Sequence, residues 1–421
     1  MPFPGTRWDM MTSVANPASM RGVWSMWAAT RALFGVGLLV VHAAVPAALP
    51  ADVAVVYFHA AQELVHGQVP YLNFSYEYPP GSLPVLALAW LLGGHTPQSY
   101  VVVWALLMLG VDALIVGRLT RLQHGRHAAL AWIFGIALIG PMALLRNDLL
   151  VVASFVLALG LTNSRGNLLG GAAWAFGALT KLWPIAPLAA LLLLRRRGRA
   201  ELAWGAGAVF GFAAIVLVSQ VALGAMLSNL FQRQGQRPIE IETIWATPVW
   251  LGSLVSGRPV RVVHTFGSFN LVGGQLFTGV ATALTAAVAV ACVLTPVLLA
   301  RLGGVPATAP VLAWTFGLYV SASLLVAPVL SAQFALWLLG AACALLGVTG
   351  RPAASFVAAT LVACGLTQLV FPVLFTQLQH GAPAAILVVV LRNVTLLVVS
   401  AIGVAGLRRA AADTHAATST R

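Results

Sequence analysis

Apolar runs long enough to cross a bilayer recur from one end of this sequence to the other. Only a backbone that satisfies its own hydrogen bonds can span lipid, and runs near about 20 apolar residues do so as helices. Of the 421 residues, 60% are hydrophobic and 8% charged, against about a quarter charged in a soluble domain. The chain reads as an all-α polytopic membrane protein, nearly all of it one membrane domain. Its formal charge of +13, from 23 Lys+Arg against 10 Asp+Glu, would suggest nucleic acid in a soluble protein. Here the bases cluster in short loops between apolar runs, the pattern that marks the cytoplasmic side, so no nucleic-acid partner is expected. Cys292, Cys343 and Cys364 all fall inside apolar runs, without disulfide or metal spacing. The first apolar run, about 27–49, is not followed by a small-x-small cleavage site placed well before Asp52 and reads as a retained first span.

Basic loops anchor the topology. Arg118, Arg121 and Arg126 form one cluster, and Arg195, Arg196, Arg197 and Arg199 the strongest. Arg301, Arg351 and Arg408-Arg409 follow later runs. All are expected on the cytoplasmic side, with Arg21 and Arg31. If the run at about 83–93 crossed, the next one, about 98–118, would carry Arg118, Arg121 and Arg126 to the outer side. Leu83 to Leu92 is also only about half of a roughly 20-residue crossing. The stretch after Pro79-Pro80 is therefore expected as an interfacial or re-entrant helix on the outer face. Pro79 keeps Tyr78 out of helical conformation, and Pro80 fits the first turn of the helix that follows.

Counted this way, spans fall at about 27–49, 98–118, 127–145, 148–162, 167–181, 183–194, 201–223, 273–300, 306–326, 333–348, 353–375 and 383–407. That makes about twelve transmembrane helices, with both termini inside. A cytoplasmic segment, 1–26, precedes a single transmembrane domain, 27–409, whose outer loops lie at about 50–97 and 224–272. A disordered cytoplasmic tail is expected at 410–421.

Charges in or beside a bilayer are costly, which makes each a functional candidate. Asp52, Glu63, Glu77, Asp148, Glu240 and Glu242 fall on the outer side of this topology, and Asp112 alone falls inside a span. Arg146, Lys181, Arg233, Arg237, Arg258 and Arg261 gather outside as well. Together they suggest an outward-facing polar cavity. Asp52 opens an amphipathic stretch with Val53, Val56, Ala60 and Leu64 on one face. It is either the N-cap of that helix or a lone carboxylate able to act as a general base. Arg146-Asn147-Asp148 is either a charged helix junction or a cation placed for an anionic group. Lys181, between two short apolar helices and before Trp183-Pro184, either snorkels or meets a buried anion. The mix of Arg233, Arg237, Glu240 and Glu242 with Ile and Trp in residues 231–245 suits a sugar or headgroup. His264 lies on the same loop. No phosphate loop, Gly-x-Ser-x-Gly or metal spacing is present, so no cofactor and no metal is expected.

Asp52, Tyr57, Ala60-Ala61, Gly67, Pro70-Tyr71, Phe74 and Glu77-Tyr78-Pro79-Pro80 resemble the first outer loop of glycosyltransferase family 87. These are polyprenol-phosphate-mannose-dependent mannosyltransferases and relatives in actinobacteria, of the GT-C superfamily. The likeness continues at Arg146-Asn147-Asp148, at Lys181 with Pro184, at Arg237-Pro238 with Glu242, at LSAQFALWLL (330–339) and at Arg392-Asn393. Three positions depart from the family pattern. Ala332 replaces a Pro, Phe334 a Tyr, and Pro328 stands where a Lys is common.

The resemblance implies a GT-C-like bundle in the cytoplasmic membrane, multi-pass, with its active site on the outer side. It implies an inverting transferase that moves a sugar, mannose in the family, from a polyprenyl-phosphate donor to a lipid or glycan acceptor of the cell envelope. Asp52 would be the catalytic base. Arg146, Lys181, Arg233 and Arg237 would be the phosphate candidates. Glu77, Tyr78, Asp148, Glu242, His264 and Gln333 would complete the substrate site. Two other readings stay open: a pentosyl (arabinofuranose) transferase of the same superfamily, and a lipid or sugar transporter without chemistry.

Overall fold

The computed structural model describes residues 17–44, 52–159, 164–194, 199–273 and 275–419. Outside them lie the chain up to residue 16, the outer end of the expected first span, and Arg195, Arg196 and Arg197 of the strongest basic cluster. In chain order the helices are α1 (Pro17–Ala44), α2 (Phe58–Val65), α3 (Leu83–Leu91), α4 (Pro97–Leu119), α5 (Gly125–Ile139), α6 (Asp148–Leu159), α7 (Ser164–Thr180), α8 (Ile185–Leu194), α9 (Arg199–Val218), α10 (Leu223–Gln236) and α11 (Thr247–Ser256). An antiparallel hairpin follows, β1 (Val262–Thr265) with β2 (Ser268–Leu271). The chain continues with α12 (Gln275–Arg301), α13 (Ala309–Val326), α14 (Ala335–Thr349), α15 (Ala354–Gln368), α16 (Phe375–Gln379) and α17 (Pro383–Ser419).

Among the described residues, six helical stretches are long and apolar enough to cross a membrane: α4, most of α12, α13, α14 with the turn before it, α15 with the turns around it, and α17. A seventh forms if α9 and α10, bent by 94° at the break between them, count as one. The protein is a predominantly helical polytopic membrane protein. The sequence count of about twelve also includes α5, α6, α7 and α8, which have 15, 12, 17 and 10 residues. At 1.5 Å per residue they reach about 15–26 Å, short of an apolar layer about 30 Å thick. The helix after Pro80 is short, as its sequence implies: α3 has 9 residues. The region 224–272, read as a loop, contains α10, α11 and the hairpin.

The sequence reads as one membrane domain, but the chain forms two compact units. One comprises residues 8–188 and 195–232, the other residues 1–7, 189–194 and 233–421. In the first unit, Thr96 and Ser99 form a reciprocal capping box at the start of α4, with Pro97 in its first turn. Trp104, Met108, Asp112 and Ile115 make its buried stripe, while Val102, Leu106 and Leu114 are exposed. That division follows the 3.6-residue period, with lipid taking the outer face. α7 and α9 meet along a seam of small residues. A Cβ added at Gly171 would sit 1.9 Å from the Trp204 carbonyl, and one at Gly207 1.9 Å from the Leu168 carbonyl.

Asp112 closes a buried knot between α1, α4 and α5. Arg31 Nε donates to its Oδ2 at 2.7 Å and Nη2 to its Oδ1 at 3.1 Å. Trp27 Nε1 donates at 2.6 Å and Trp132 Nε1 at 2.7 Å. Arg31 is therefore a buried partner, not the free topology-setting cation its sequence position suggests. The intraspan carboxylate is fully hydrogen-bonded, as buried charge requires.

In the second unit, residues 336–347 of α14 are all buried; α13 and α15 pack against it, and α17 packs on α13 and α15 in turn. Gly406 lets the ring of Trp314 lie against α17, where a Cβ would stand 2.4 Å from ring carbon. α11 and β2 pack on a buried cluster of Trp250, Ile239, Ile241, Leu271, Leu378 and Ile386. α17 does not stop at Arg409. It runs on to Ser419, so residues 410–419 of the tail expected to be disordered are helical. Ala410, Ala411 and Ala412 are strong helix formers and no Gly or Pro interrupts them.

Candidate functional site

Four segments of the first unit converge. Asp52 begins a widened helical turn, Asp52–Tyr57, that runs into α2. Val53, Ala54, Tyr57, Ala60, Ala61 and Leu64 are its buried face, close to the face expected from sequence. The Asp52 carboxylate forms an ion pair with the Arg146 guanidinium. Arg146 is free to reach it because α5 ends at Gly140 (φ 81°), where a positive φ suits glycine. A single 3₁₀ turn, Pro141–Leu145, then leads to Arg146 in extended conformation, and α6 starts at Asp148.

Asn147 and Asp148 are buried, at 0% and 1% exposure. The Asn147 amide N–H approaches the Tyr57 hydroxyl at 3.4 Å, and its Nδ2 lies 3.5 Å from Ser82 Oγ. Ser82 shares a 2.7 Å hydrogen bond with the Tyr76 hydroxyl. The Asn147 side-chain oxygen is buried without a hydrogen-bond partner among the described residues. Burial pushes the phenols of Tyr57 and Tyr76 up, so both remain neutral donors and acceptors.

Lys181 follows α7 directly. Its Nζ lies 3.8 Å from Asp148 Oδ1 and 4.0 Å from the centroid of the Tyr78 ring. That places an ammonium between a carboxylate and an aromatic face, a favourable cation–π position. The Tyr78 ring in turn meets Tyr57 and Tyr76 edge-on, at 6.4 and 5.7 Å. Its backbone carbonyl accepts the Tyr71 hydroxyl at 2.7 Å. Gly81 makes this possible. A Cβ there would stand 2.4 Å from the Thr180 amide nitrogen, so only glycine lets the Pro79-Pro80-Gly81 turn lie on the end of α7.

Asp52, Tyr78, Arg146, Asp148 and Lys181, all singled out from sequence, are thus brought into one cluster, with Glu77 half-buried next to Tyr78. Asp52 does more than head its helix, because Arg146 takes its carboxylate. Lys181 meets the buried carboxylate of Asp148, the second of the two sequence readings, and adds the face of the Tyr78 ring, which the sequence did not indicate. Tyr57, Tyr76, Ser82 and Asn147 complete the cluster. Asn147 sits in the Arg-Asn-Asp string and Tyr57 lies five residues beyond Asp52, but nothing in the sequence signals Ser82.

The remaining candidates belong to the second unit, where Arg237, Glu240 and Glu242 serve as ties. The Glu242 carboxylate meets Arg392 Nη1 at 3.3 Å, and Arg392 Nη2 also donates to the Glu242 carbonyl. Asn393 Nδ2 donates to Thr247 Oγ1 at 2.9 Å and to the Thr243 carbonyl at 3.2 Å. Glu240 accepts the Leu330 amide at 2.6 Å and the Ser331 hydroxyl. Burial raises both carboxyls, Glu242 to about 8. Arg237 donates to the Phe266 carbonyl at 2.9 Å. Gln333 is buried in a turn before α14. His264 is exposed on β1 with its ring against Phe269. The side chain of Arg233 lies outside the described residues. Among the described residues no group of His, Cys, Asp or Glu is arranged to hold a metal ion.

Compared with family models, with curated proteins and with solved structures, the chain matches none.

Proposed function

We propose that the protein is an inverting glycosyltransferase that uses a polyprenyl-phosphate sugar, mannose first among the candidates, with Asp52 as general base. The observation that carries this reading is the cluster itself. A half-exposed carboxylate, a guanidinium and an ammonium are drawn together by segments beside short apolar helices. A donor dissolved in the bilayer must be met at the membrane surface. The twelve-span GT-C-like arrangement, with α3 lying on the outer face, belongs to this same reading, as does the active site's outer position in the cytoplasmic membrane.

In the proposed step the acceptor hydroxyl attacks the anomeric carbon in line, and its proton passes to the Asp52 carboxylate. The bond from that carbon to the phosphate oxygen breaks, and its electrons leave with the lipid phosphate. Configuration inverts. Arg146 fixes the position of the Asp52 carboxylate and, with Lys181, offers cationic N–H groups to the charge that develops on the departing phosphate. Tyr78, held over Lys181, and the buried Asp148 keep the ammonium in place. The other candidate cation with a described side chain, Arg237, is engaged with a carbonyl, which leaves Arg146 and Lys181 as the main phosphate ligands in this reading.

The test supplies membranes containing the protein with labelled polyprenyl-phosphate mannose and, in parallel, polyprenyl-phosphate arabinofuranose. Transfer should drop by about 100-fold or more in Asp52→Asn, the usual contribution of a general base. Undiminished transfer by that variant rules out Asp52 as the base. Transfer from the pentose donor alone makes the enzyme a pentosyltransferase, and transfer from neither favours a transporter.

A further inference from the structure

The second unit contains a cavity of about 690 Å³ between the end of α11, the β-hairpin and the turn from α16 into α17. That volume lies within the range of small-ligand sites. Its walls are fixed, because Leu254, Val260, Val262 and Phe269 all pack on the buried cluster around Trp250. Its polar groups are Ser253, Arg258, His264, Gln379 and His380, and no Asp or Glu lines it. Arg258 is exposed, and no carboxylate among the described residues pairs with it. His380 Nδ1 lies 2.7 Å from the Thr376 carbonyl, so that nitrogen carries a proton and Nε2 is left for a ligand.

A neutral sugar calls for an open aromatic face and acceptor groups. Here the Phe269 ring is already flanked by His264 at 4.8 Å and Phe375 at 5.4 Å. One guanidinium and two imidazoles without a carboxylate suit an anion, and a phosphate has enough oxygens to take a forked guanidinium and further donors at once. We propose that this cavity binds a phosphate ester. Leu251 and Val255, exposed on α11 at 40% and 90%, give the neighbouring surface an apolar side, so the ester is either a lipid headgroup or a soluble sugar phosphate. The proposal does not depend on the transferase reading and holds whether or not Asp52 is a base.

The test uses the full-length protein in phospholipid-free amphipol, with glucose 1-phosphate as soluble probe, followed by calorimetry. Saturable binding is expected. It should weaken about tenfold in Arg258→Gln, the cost of one charge-assisted contact, and similarly in His264→Asn/His380→Asn. Unfolding midpoints should not move in either variant, since all three side chains are exposed. Nanodiscs containing phosphatidic acid identify the source. Loss of soluble-probe binding there assigns the cavity to a lipid phosphate, and retained binding assigns it to a soluble ester. Equal competition by glucose, unchanged affinity in both variants, or no saturable binding of either phosphate would each overturn the proposal.

Discussion

Arg392 and Glu242 are buried to 2% and 3% side-chain exposure and lie 150 residues apart. Neither is tolerable there alone. Replacing Arg392 by Met leaves a buried acid without its partner, at a cost of about 3 kcal/mol once the pH is high enough to ionise it. The double variant with Glu242→Met should recover part of that loss, because the pair couples. Unfolding midpoints in detergent measure both, and additive losses would show that the two do not act as a pair. The single variant also carries a pH signature. Burial pushes the Glu242 carboxyl up to about 8 even with Arg392 beside it. Without the guanidinium the folded chain favours the protonated acid still more, while the unfolded chain ionises near pH 4 to 5. The folded state then binds more protons than the unfolded one, so stability should be highest in acid and fall as pH rises from about 5 to about 9. A flat profile would mean that the carboxylate finds another partner. Lys181 illustrates the same logic in the first unit, where an ammonium rests against Asp148 and the Tyr78 ring.

Helix packing in the first unit rests on glycines that differ in role although they lie two residues apart. A Cβ at Gly207 meets Leu168 backbone at 1.9 Å, whereas one at Gly205 meets nothing within 4 Å. Gly207→Ala should therefore destabilise by about 1–3 kcal/mol through overpacking, and Gly205→Ala should stabilise by up to about 1 kcal/mol through helix propensity. Thermal unfolding of the two variants tests the seam, and equal effects would show that α7 and α9 do not depend on close approach. The sequence carried much of this architecture in local terms. The spacing of apolar runs located α4, α12 and α13 to within a few residues and the start of α17, though not its end, and Pro79-Pro80 with a short apolar run marked α3. Ties across long separations left no local trace. Arg31 reads as a loop cation and Asp112 as an isolated intraspan acid, because their meeting is a property of how α1, α4 and α5 pack. The first-unit cluster was legible at Asp52, Tyr78, Arg146, Asp148 and Lys181, since polar residues stand out against apolar runs. Glu242 stood out equally, yet its role as the Arg392 counterion is set by a contact 150 residues away.

Topology offers its own measurement. If α3 lies along the outer face, a cysteine replacing exposed His95 should react with a membrane-impermeant maleimide added to intact cells. Cys292, Cys343 and Cys364 are buried and give little background. Gly94 is a poorer probe, because any Cβ there crowds the Ala89 carbonyl at 2.7 Å. Reaction only after the membrane is opened would place this turn on the cytoplasmic side and reverse the sidedness of the Asp52 cluster. At the other end of the chain, the continuation of α17 has a mechanical meaning. An unbroken helix from Pro383 to Ser419 passes its last apolar stretch near Leu407 and then extends for about 18 Å. It is a stem: a short rod that carries the described chain past that apolar stretch as far as Ser419. A fluorophore attached there should tumble with the membrane protein itself instead of swinging on a loose tether.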